Sequence, residues 1–274
     1  MRYRVGSVPY VNAAPLTRWL ETDAGARYAE VVYAPPSALA QMLRTGALDV
    51  ALVSSVEHFR RPDTRYVRGL AIASEREVLS VRLFSRVPIS RLSRVALDSS
   101  SLTSVALTRI LLERAYSLAP AYHDAAPNLE AMLSRADAAL LIGDLGMTAQ
   151  HESVVEILDL GAAWRDWTGL PFVWALWLMN PDAPAEPISA LLHEAYQWGA
   201  QHIESIVHAE AQRTGIPYAL CQRYLREVMV YAIDARFLQG LERFRAEASR
   251  YNKDGERHAN NIPHPADGAR DCSD

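Results

Sequence analysis

Residues 3–20 have the sequence YRVGSVPYVNAAPLTRWL, and this stretch determines the predicted fold. Its first part, Tyr3 to Val8, alternates and is rich in β-branched residues, which is typical of a strand, and Pro9 ends it. Asn12 then occupies a position typical of a helix N-cap, and Pro15 falls in the first turn, where its missing N–H costs little. The apolar residues that follow recur at helical spacing. The stretch therefore predicts a strand followed by a helix.

The same strand-then-helix pattern recurs along the chain. A helix is predicted from Pro35 to Gly46, and Ser54 with Glu57 matches a capping box. Further strands are predicted at Tyr28–Tyr33, Asp49–Val53, Val78–Phe84, Arg94–Leu97, Ala138–Ile142 and Phe172–Leu178, and further helices at Thr103–Tyr116, Leu129–Leu133, Tyr218–Tyr231 and Ala235–Ala248. This alternation predicts an α/β protein with mainly parallel strands, divided between two small sheets.

Composition excludes several classes of protein. The 274 residues carry a net charge of -4, which gives no support to a nucleic-acid partner. The single lysine, Lys253, lies in a polar segment, so Schiff-base chemistry is excluded, and no GK[ST] motif for a P-loop is present. Cys221 and Cys272 form no CxxC pair. The N-terminal residues lack the apolar core of a signal peptide and no apolar run reaches ~20 residues, so we expect a cytoplasmic protein without a membrane partner.

Short polar residues follow the predicted strands where helices begin. Ligands of doubly wound sheets bind at the carboxyl ends of strands, and helix N-termini attract anions. Any one of these residues is also explained as an ordinary cap, but the turn from Asp98 to Ser104 supplies five hydroxyls where capping needs one. The pattern favours a small molecule with two or more carboxylates. The residues concerned are Tyr10, Asn12, Ser54, Ser55, Ser99, Ser100, Ser101, Thr103, Ser104, Gly143 and Asp144.

Other chemical motifs are missing from the sequence. His202 and His208 are six residues apart and do not share a helix face at metal-ligand spacing, and no HExxH, GxSxG or GxGxxG motif occurs. We therefore expect no metal and no cofactor. The tryptophans at 164, 167, 174 and 177 are expected in the core rather than at a ligand.

Five segments of the chain resemble, in the same order, the sequence pattern of the chorismate dehydratase family, the first enzymes of the futalosine route to menaquinone. Each motif is weak alone, but their order is specific, and together they cover most of residues 1–180. The segments are Val8–Leu16 (Y-x-N-x-x-P-L), Leu79–Ser85 (SV-x-L-F-S), Val95–Ser104 (V-x-L-D-x-x-S-x-T-S), Ala138–Asp144 (A-x-L-L-I-G-D) and Asp159–Phe172 (D-L-G-x-x-W and T-G-L-P-F).

The resemblance implies a type 2 periplasmic-binding-protein-like fold, with two lobes and a ligand cleft between them. Two crossover strands would join the lobes, near Ser80–Ser85 and Pro171–Leu176. The first lobe would comprise residues 1–84 and 175–274, including the C-terminal helices and a polar tail at 251–274, and the second lobe residues 85–174.

The resemblance also implies an activity, the conversion of chorismate to 3-[(1-carboxyvinyl)oxy]benzoate and water. Asn12 would hydrogen-bond the departing hydroxyl as the catalytic residue, and Asp144 would orient Asn12 or the substrate. The base would be the substrate's own enolpyruvyl carboxylate. The substrate-binding residues would be Tyr10, Ser54, Ser55, Ser80, Ser101, Thr103, Ser104, Gly143, Asp144 and Thr168.

Two alternatives stay open on the sequence. The sibling enzyme that makes 1,4-dihydroxy-6-naphthoate has a related fold, but its pattern carries a histidine where this chain has Ile142-Gly143-Asp144. A small-anion binding protein without chemistry would share the fold. Such receptors are usually exported, whereas this sequence begins without a signal peptide or a lipid-anchor cysteine.

Overall fold

The computed structural model of the protein describes residues 2–61 and 63–259. The strands are β1 (Tyr3–Ser7), β2 (Ala29–Tyr33), β3 (Val50–Ser54), β4 (Arg65–Ser74), β5 (Val81–Ser85), β6 (Arg94–Asp98), β7 (Ala121–Ala125), β8 (Ala138–Ile142), β9 (Glu156–Asp159), β10 (Phe172–Met179) and β11 (Met229–Ala232). The α-helices are α1 (Ala14–Thr17), α2 (Pro36–Arg44), α3 (Val56–Arg60), α4 (Thr103–Ile110), α5 (Leu129–Leu133), α6 (Gly143–Thr148), α7 (Leu160–Thr168), α8 (Ala185–Gln201), α9 (Ile203–Thr214), α10 (Tyr218–Arg223) and α11 (Ala235–Ala259). Four 3-10 turns (Val11–Ala13, Arg18–Glu21, Gly25–Arg27 and Ile89–Arg91) and two π turns (Leu111–Ala115 and Tyr224–Val228) complete the set.

The strands form two mixed sheets. The first has the order β11-β4-β10-β3-β1-β2, in which β1 pairs in parallel with β2 and β3 while β10 is antiparallel to β3 and β4. The second has the order β7-β6-β8-β5-β9, in which β6 is parallel to β7 and β8 while β5 is antiparallel to both neighbours. The predicted pair of sheets is confirmed. The prediction of mainly parallel strands is wrong, because β5 and β10, which follow the two crossings of the chain, run against their neighbours.

The chain passes from the first sheet to the second between Ser74 and Val81 and returns before Phe172. The predicted limits of the lobes, after residues 84 and 174, therefore fall inside β5 and β10, a few residues beyond the crossings. The predicted crossover segments likewise coincide with strands that belong wholly to one sheet. The sequence pattern predicts one strand over Val78–Phe84, whereas in the structure residues 78–80 belong to the crossing and β5 begins at Val81.

Several elements differ from prediction for local reasons. Strand β4 was not predicted because Arg65, Arg68 and Gly69 interrupt its apolar pattern, and β7, β9 and the helix α7 were also missed. The stretch predicted as one helix from Tyr218 instead contains α10, a π turn and strand β11. Helix α11 continues to Ala259, so the start of the predicted polar tail is helical, and residues 260–274, with Cys272, lie outside the described residues.

Two predicted caps are also wrong. Ser54 is the last residue of β3 rather than a helix cap, and the Glu57 carboxylate accepts hydrogen bonds from Arg44 and Arg60. Asn12 lies inside the 3-10 turn that precedes α1, so its side chain is not consumed by capping. Both side chains are thereby left for other partners.

The core includes an aromatic cluster beside the return crossing. The Trp164 ring on α7 lies 5.2 Å from Phe172 on β10, and Phe172 lies 4.9 Å from Phe244 on α11. Trp164 and Trp177 are fully buried, as predicted. Within the described residues, no helix combines the length and apolar character needed to cross a membrane.

Candidate active site

A cavity with about 540 Å³ of atom-free space, partly open to solvent, lies where the two sheets meet. One wall is apolar and comes from β3, β4, β10 and the first crossing. The other wall carries hydroxyl groups from the ends of strands. The lining residues are Val8, Tyr10, Asn12, Pro36, Leu52, Ser54, Ile72, Val78, Ser80, Val81, Ser101, Thr103, Ser104, Ile142, Gly143, Trp174 and Ala175.

Most of the predicted site residues meet at this cavity, although they come from distant parts of the sequence. Of the predicted substrate-binding residues, three do not line it, namely Ser55, Asp144 and Thr168, and neither do Ser99 and Ser100 of the hydroxyl-rich turn. The residues brought together are Tyr10, Asn12, Ser54, Ser80, Ser101, Thr103, Ser104 and Gly143. They lie near the carboxyl ends of β1, β3, β6 and β8 and in the first crossing, so the sheets position them.

Ser55, Asp144 and Thr168 make hydrogen bonds within the protein instead. The buried Ser55 hydroxyl lies 3.3 Å from the Thr103 hydroxyl, and the Asp144 carboxylate accepts the Val11 backbone N–H at 3.1 Å. Both support residues of the lining from behind. Thr168, at the end of α7, donates its hydroxyl to the Trp164 carbonyl at 2.8 Å. The structure does not bring Thr168 to the cavity, because a helical i-4 bond occupies its hydroxyl.

The hydroxyls of the turn between Asp98 and Ser104 have two different roles: one binds the Asp98 carboxylate, and others line the cavity. Ser100 donates both its backbone N–H and its hydroxyl to the buried Asp98 carboxylate, at 2.9 and 2.6 Å. Ser101 and Ser104 line the cavity, and their hydroxyls make no hydrogen bond to another described residue. The residue at the N-cap of α4 is Leu102, which cannot cap with its side chain. The hydroxyls of Ser101 and Ser104 are therefore free to bind a ligand.

Helix α4 also presents backbone donors at this point. The first N–H groups of a helix have no partner within it and carry a partial positive charge. Among the described lining residues there is no lysine, arginine or histidine. A carboxylate in this cavity would therefore be held by neutral hydroxyl and N–H donors.

Asn12, Tyr224 and Ser80 form a hydrogen-bonded chain at the cavity. The Asn12 Nδ2 donates to the Tyr224 hydroxyl at 3.0 Å, and the Tyr224 hydroxyl donates to the Ser80 Oγ at 2.6 Å. The Asn12 Oδ1 is buried and has no partner in the part of the chain that the structure describes. Sequence reasoning missed Tyr224, which is 1% exposed, because a buried tyrosine in an amphipathic stretch carries no local sign of a site. An unpaired buried acceptor at a cavity indicates a ligand that donates a hydrogen bond there.

Tyr10 packs directly against Gly143 at the cavity. Burial, together with the Asp98 and Asp144 carboxylates, raises the pKa of Tyr10 to about 12, so its hydroxyl stays protonated at neutral pH. Gly143 has φ +62°, and a Cβ there would lie 2.9 Å from the Tyr10 ring atoms Cδ1 and Cε1. Glycine is required at 143 both for the left-handed backbone and for the close approach of the ring.

Asp159 fixes the crossing that carries Ser80. Its carboxylate accepts the Val78 and Leu79 N–H groups at 3.1 and 2.8 Å. The same carboxylate caps α7 by accepting the Gly161 and Ala162 N–H groups at 2.9 and 3.0 Å. Leu79 has φ +59°, an uncommon conformation for a residue with a side chain. The strained residue is held by Asp159 and places the next residue, Ser80, at the cavity.

The apolar lining residues were not predicted as site residues. Leu52, Ile72 and Trp174 belong to the first sheet and look like core in sequence, and Trp174 is 7% exposed while its Nε1 donates to the Ser74 hydroxyl at 3.1 Å. A residue that faces a cavity and one that faces the core have the same hydropathy. Among the described residues, no group of three or more His, Cys, Asp or Glu side chains comes together in an arrangement that could hold a metal ion.

Comparison with known proteins identifies the family. The sequence model of the menaquinone biosynthesis family matches residues 3–250. The chain belongs to this family. It is 33% identical over 241 residues to the chorismate dehydratase of Thermus thermophilus, a match that covers 81% of this chain and 87% of that enzyme. It is 28% identical over 177 residues to the chorismate dehydratase of Campylobacter jejuni, covering 62% of this chain and 64% of that enzyme.

Solved structures confirm the predicted fold class. A protein from Archaeoglobus fulgidus aligns with TM-score 0.69 at 16% identity, covering 92% of this chain and 98% of that one. The alkanesulfonate-binding protein of Xanthomonas axonopodis pv. citri, bound to MOPS, aligns with TM-score 0.65 at 17% identity and 93% coverage of both chains. A Candida albicans protein with the generic periplasmic binding protein fold aligns with TM-score 0.65 at 9% identity, covering 91% of this chain and 90% of that one. At these identities the likeness is one of fold alone.

Proposed function

We propose that this protein dehydrates chorismate to 3-[(1-carboxyvinyl)oxy]benzoate, the activity named for the relatives in Thermus thermophilus and Campylobacter jejuni. The observation that carries the proposal is the lining residue Asn12, whose buried Oδ1 has no hydrogen-bond partner among the described residues, in a cavity otherwise lined by apolar groups and hydroxyls. Chorismate offers a ring hydroxyl that can donate to this oxygen and two carboxylates that can accept from the hydroxyls. Ligand and cavity are thus complementary in donors and acceptors.

The reaction removes one proton and one hydroxyl from the ring. The electrons of the C3–H bond form the third double bond of the ring, the C4–O bond breaks, and the departing oxygen takes up a proton to leave as water. Because the ring becomes aromatic, the protein needs mainly to orient the substrate and to exclude water. No external oxidant or reductant is required.

The lining favours the substrate's enolpyruvyl carboxylate as the base. Tyr10 is the only titratable side chain among the described lining residues, and with a pKa of about 12 it is protonated at neutral pH. The proton from C3 would pass to the carboxylate on the same molecule. The sibling naphthoate enzyme, by contrast, is expected to use a histidine, and no described lining residue is a histidine.

The hydroxyl-bearing wall would hold the carboxylates. Ser101 and Ser104 would donate their free hydroxyls beside the first N–H groups of α4, and Ser54 also lines the cavity. Asp144 acts through the backbone of the turn that carries Asn12, since its carboxylate holds the Val11 N–H. The predicted cytoplasmic location and the absence of cofactor, nucleic-acid and membrane partners stay part of this proposal.

Incubation of the purified protein with chorismate, without added metal or cofactor, tests the proposal. Chromatography and mass spectrometry should show an aromatic product lighter than chorismate by one water. If folded protein leaves chorismate unchanged, the dehydratase is refuted. A rise in melting temperature with chorismate would then identify a non-catalytic binding protein.

Asn12 can be tested in the same assay. Asn12→Ala should lower kcat/KM by about 100-fold, because the departing oxygen loses the partner that positions it. Thr168→Ala is the matched control: it removes a predicted site hydroxyl that the structure keeps away from the cavity, so kcat/KM should stay within about twofold. A value for Asn12→Ala within a factor of two of the parent, on the error scale of such kinetics, would refute its catalytic role.

A further inference from the structure

We propose that Tyr224 is a positioning residue that sets the direction of the hydrogen bonds at the reacting end of the cavity. Its hydrogen bonds leave the Asn12 Oδ1 as an acceptor and the Ser80 hydroxyl as a donor. One substrate hydroxyl can therefore donate to Asn12 and accept from Ser80. This inference rests on the proposed dehydration and adds the residue that orients the two groups closest to the departing oxygen.

The direction of the chain follows from the donors available. The Asn12 Nδ2 can only donate, so the Tyr224 oxygen accepts that bond at 3.0 Å. The Tyr224 proton is then directed to the other neighbour, the Ser80 Oγ at 2.6 Å. Since the Ser80 oxygen already receives this proton, its own proton is available for a third partner. Ser80 lines the cavity, so that partner is the ligand.

The two ends of this chain are complementary to a hydroxyl. The buried Asn12 Oδ1 has no partner within residues 2–61 and 63–259 and requires a donor, while the Ser80 hydroxyl offers a proton. An alcohol oxygen can donate to the first and accept from the second, whereas an ether or carbonyl oxygen would leave Asn12 unpaired. The bond from Ser80 also grows stronger as negative charge develops on the departing oxygen, which lowers the barrier.

The position of Tyr224 in the fold makes it suited to this task. Its ring is 1% exposed, and it lies on the π turn 224–228 of the C-terminal helices. Asn12 belongs to the turn after β1 and Ser80 to the first crossing. Tyr224 thus joins three separate segments of the chain at one oxygen atom. Burial raises its pKa well above the ordinary value, so the proton that it gives to Ser80 is present at neutral pH.

Without the Tyr224 hydroxyl, the Asn12 amide and the Ser80 hydroxyl each lose the hydrogen bond that fixes their orientation. The amide can then turn and present Nδ2 to the cavity, and the Ser80 proton is no longer directed at the ligand. Ser101 and Ser104 take no part in this hydrogen-bonded chain, so their contacts with a carboxylate should not change. The expected signature is therefore a loss in kcat with little change in KM.

Tyr224→Phe tests this inference, since it removes the hydroxyl and keeps the ring. We expect kcat to fall by about 30-fold while KM changes by less than about threefold. The double variant Tyr224→Phe/Ser80→Ala should be no more than about threefold slower than the slower single variant, because both cut the same chain. Tyr231→Phe is the matched control. Tyr231 is also buried, but its hydroxyl has no partner among the residues described, so the kcat of this variant should be unchanged.

Three outcomes would overturn the inference. One is a Tyr224→Phe enzyme with the parent kcat. A second is a double variant whose loss equals the product of the single losses, and a third is an equal loss of kcat in Tyr231→Phe. If Tyr224→Phe does not fold, Ser80→Ala alone decides: unchanged kcat refutes the donor at Ser80. Failure of the proposed function is distinct, because the parent protein would then form no product.

Discussion

The crossing that ends at Ser80 and the turn from Asp98 to Thr103 both bring polar side chains to the same cavity, yet they use them differently. At the crossing, the Asp159 carboxylate is committed to four backbone N–H groups. In the turn, Ser100 is committed to Asp98, whereas the Ser101 hydroxyl has no bond to another described residue. At the crossing, the Asp159 carboxylate holds the backbone in place. In the turn, the Ser101 hydroxyl is available to a ligand.

This difference matters because buried polar groups are almost always paired in proteins. A polar residue at a strand end is therefore no sign of a site until its internal bonds are known. Asp159 and Ser101 occupy similar positions, since Asp159 ends β9 just before α7 and Ser101 lies between β6 and α4. Substitutions should separate them: loss of Asp159 should reduce stability, and loss of Ser101 should reduce substrate binding.

The largest effect is expected for Asp159→Ala. It leaves the N–H groups of Val78 and Leu79 without an acceptor and uncaps α7, so the free energy of unfolding should fall by about 3 kcal/mol. The strained Leu79 should relax, and Ser80 should move with it. Urea denaturation measures the loss. A change below about 1 kcal/mol would show that the N–H groups find other acceptors.

Gly143→Ala should come next, with a smaller loss of stability and a clear loss of activity. The added Cβ would sit 2.9 Å from the Tyr10 ring, and the left-handed backbone costs roughly 1–2 kcal/mol in addition. The ring must move into the cavity, so kcat/KM should fall by more than about tenfold. Activity and thermal unfolding would be measured on the same sample.

Gly46→Ala is the control that separates the cost of a left-handed backbone from the effect of the contact with Tyr10. Gly46 has φ +74°, but nothing lies within 4 Å of a Cβ there, and it is not a lining residue. It should lose about 1 kcal/mol of stability and keep its kcat/KM. An equal loss of activity in both variants would mean that the Tyr10 contact has no special role.

Ser101→Ala and Ser104→Ala should each raise KM by about tenfold, the value of one hydrogen bond to a charged group, while the free energy of unfolding stays within about 0.5 kcal/mol. Ser100→Ala should instead lower the stability and leave KM almost unchanged. It removes a 2.6 Å bond to the Asp98 carboxylate, so stability should fall by about 1.5 kcal/mol with little change in KM. If all three serines affected stability alone, the turn would be structural throughout.

Much of the architecture could be predicted from the sequence, because short strands and helices at Ala138–Ile142 or Leu129–Leu133 are bounded by clear turn residues. Strand β4 could not, because its pairing with β10 and β11 outweighs its polar residues. The location of the crossings depends on which sheet each strand joins. That choice is made by contacts distant in sequence, and local patterns do not record it.

The candidate site shows the same limit. Residue type and position predicted Ser101 and Ser104 as ligand contacts, because the turn holds more hydroxyls than capping requires, and the role of Asn12 was predicted from the family resemblance. Tyr224 could not be found, since its role depends on two residues more than a hundred positions away. Thr168 was predicted on resemblance to a family motif, and only the structure shows its hydroxyl bonded within α7.

The smallest effect is expected for Asp137, which precedes β8 in the second sheet. Its carboxylate accepts hydrogen bonds from the Ser93 hydroxyl at 2.6 Å and from the Ser93 and Arg94 N–H groups. The hydrogen bond from the Ser93 hydroxyl lowers the pKa of Asp137. A carboxyl group with a lowered pKa stabilises the fold above its unfolded pKa of about 3.9, and this contribution is lost as the pH falls through the folded pKa.

The difference in melting temperature between the parent and Asp137→Asn should therefore be constant between about pH 7 and 5 and should shrink below about pH 4. In a Ser93→Ala background the shrinkage should be weaker, since the main cause of the pKa shift is gone. The effect is small because the carboxylate is partly exposed and solvent screens it. A difference that instead grew on acidification would mean that the folded state raises this pKa, and that a carboxylate bound to backbone N–H groups gains no stability from its charge.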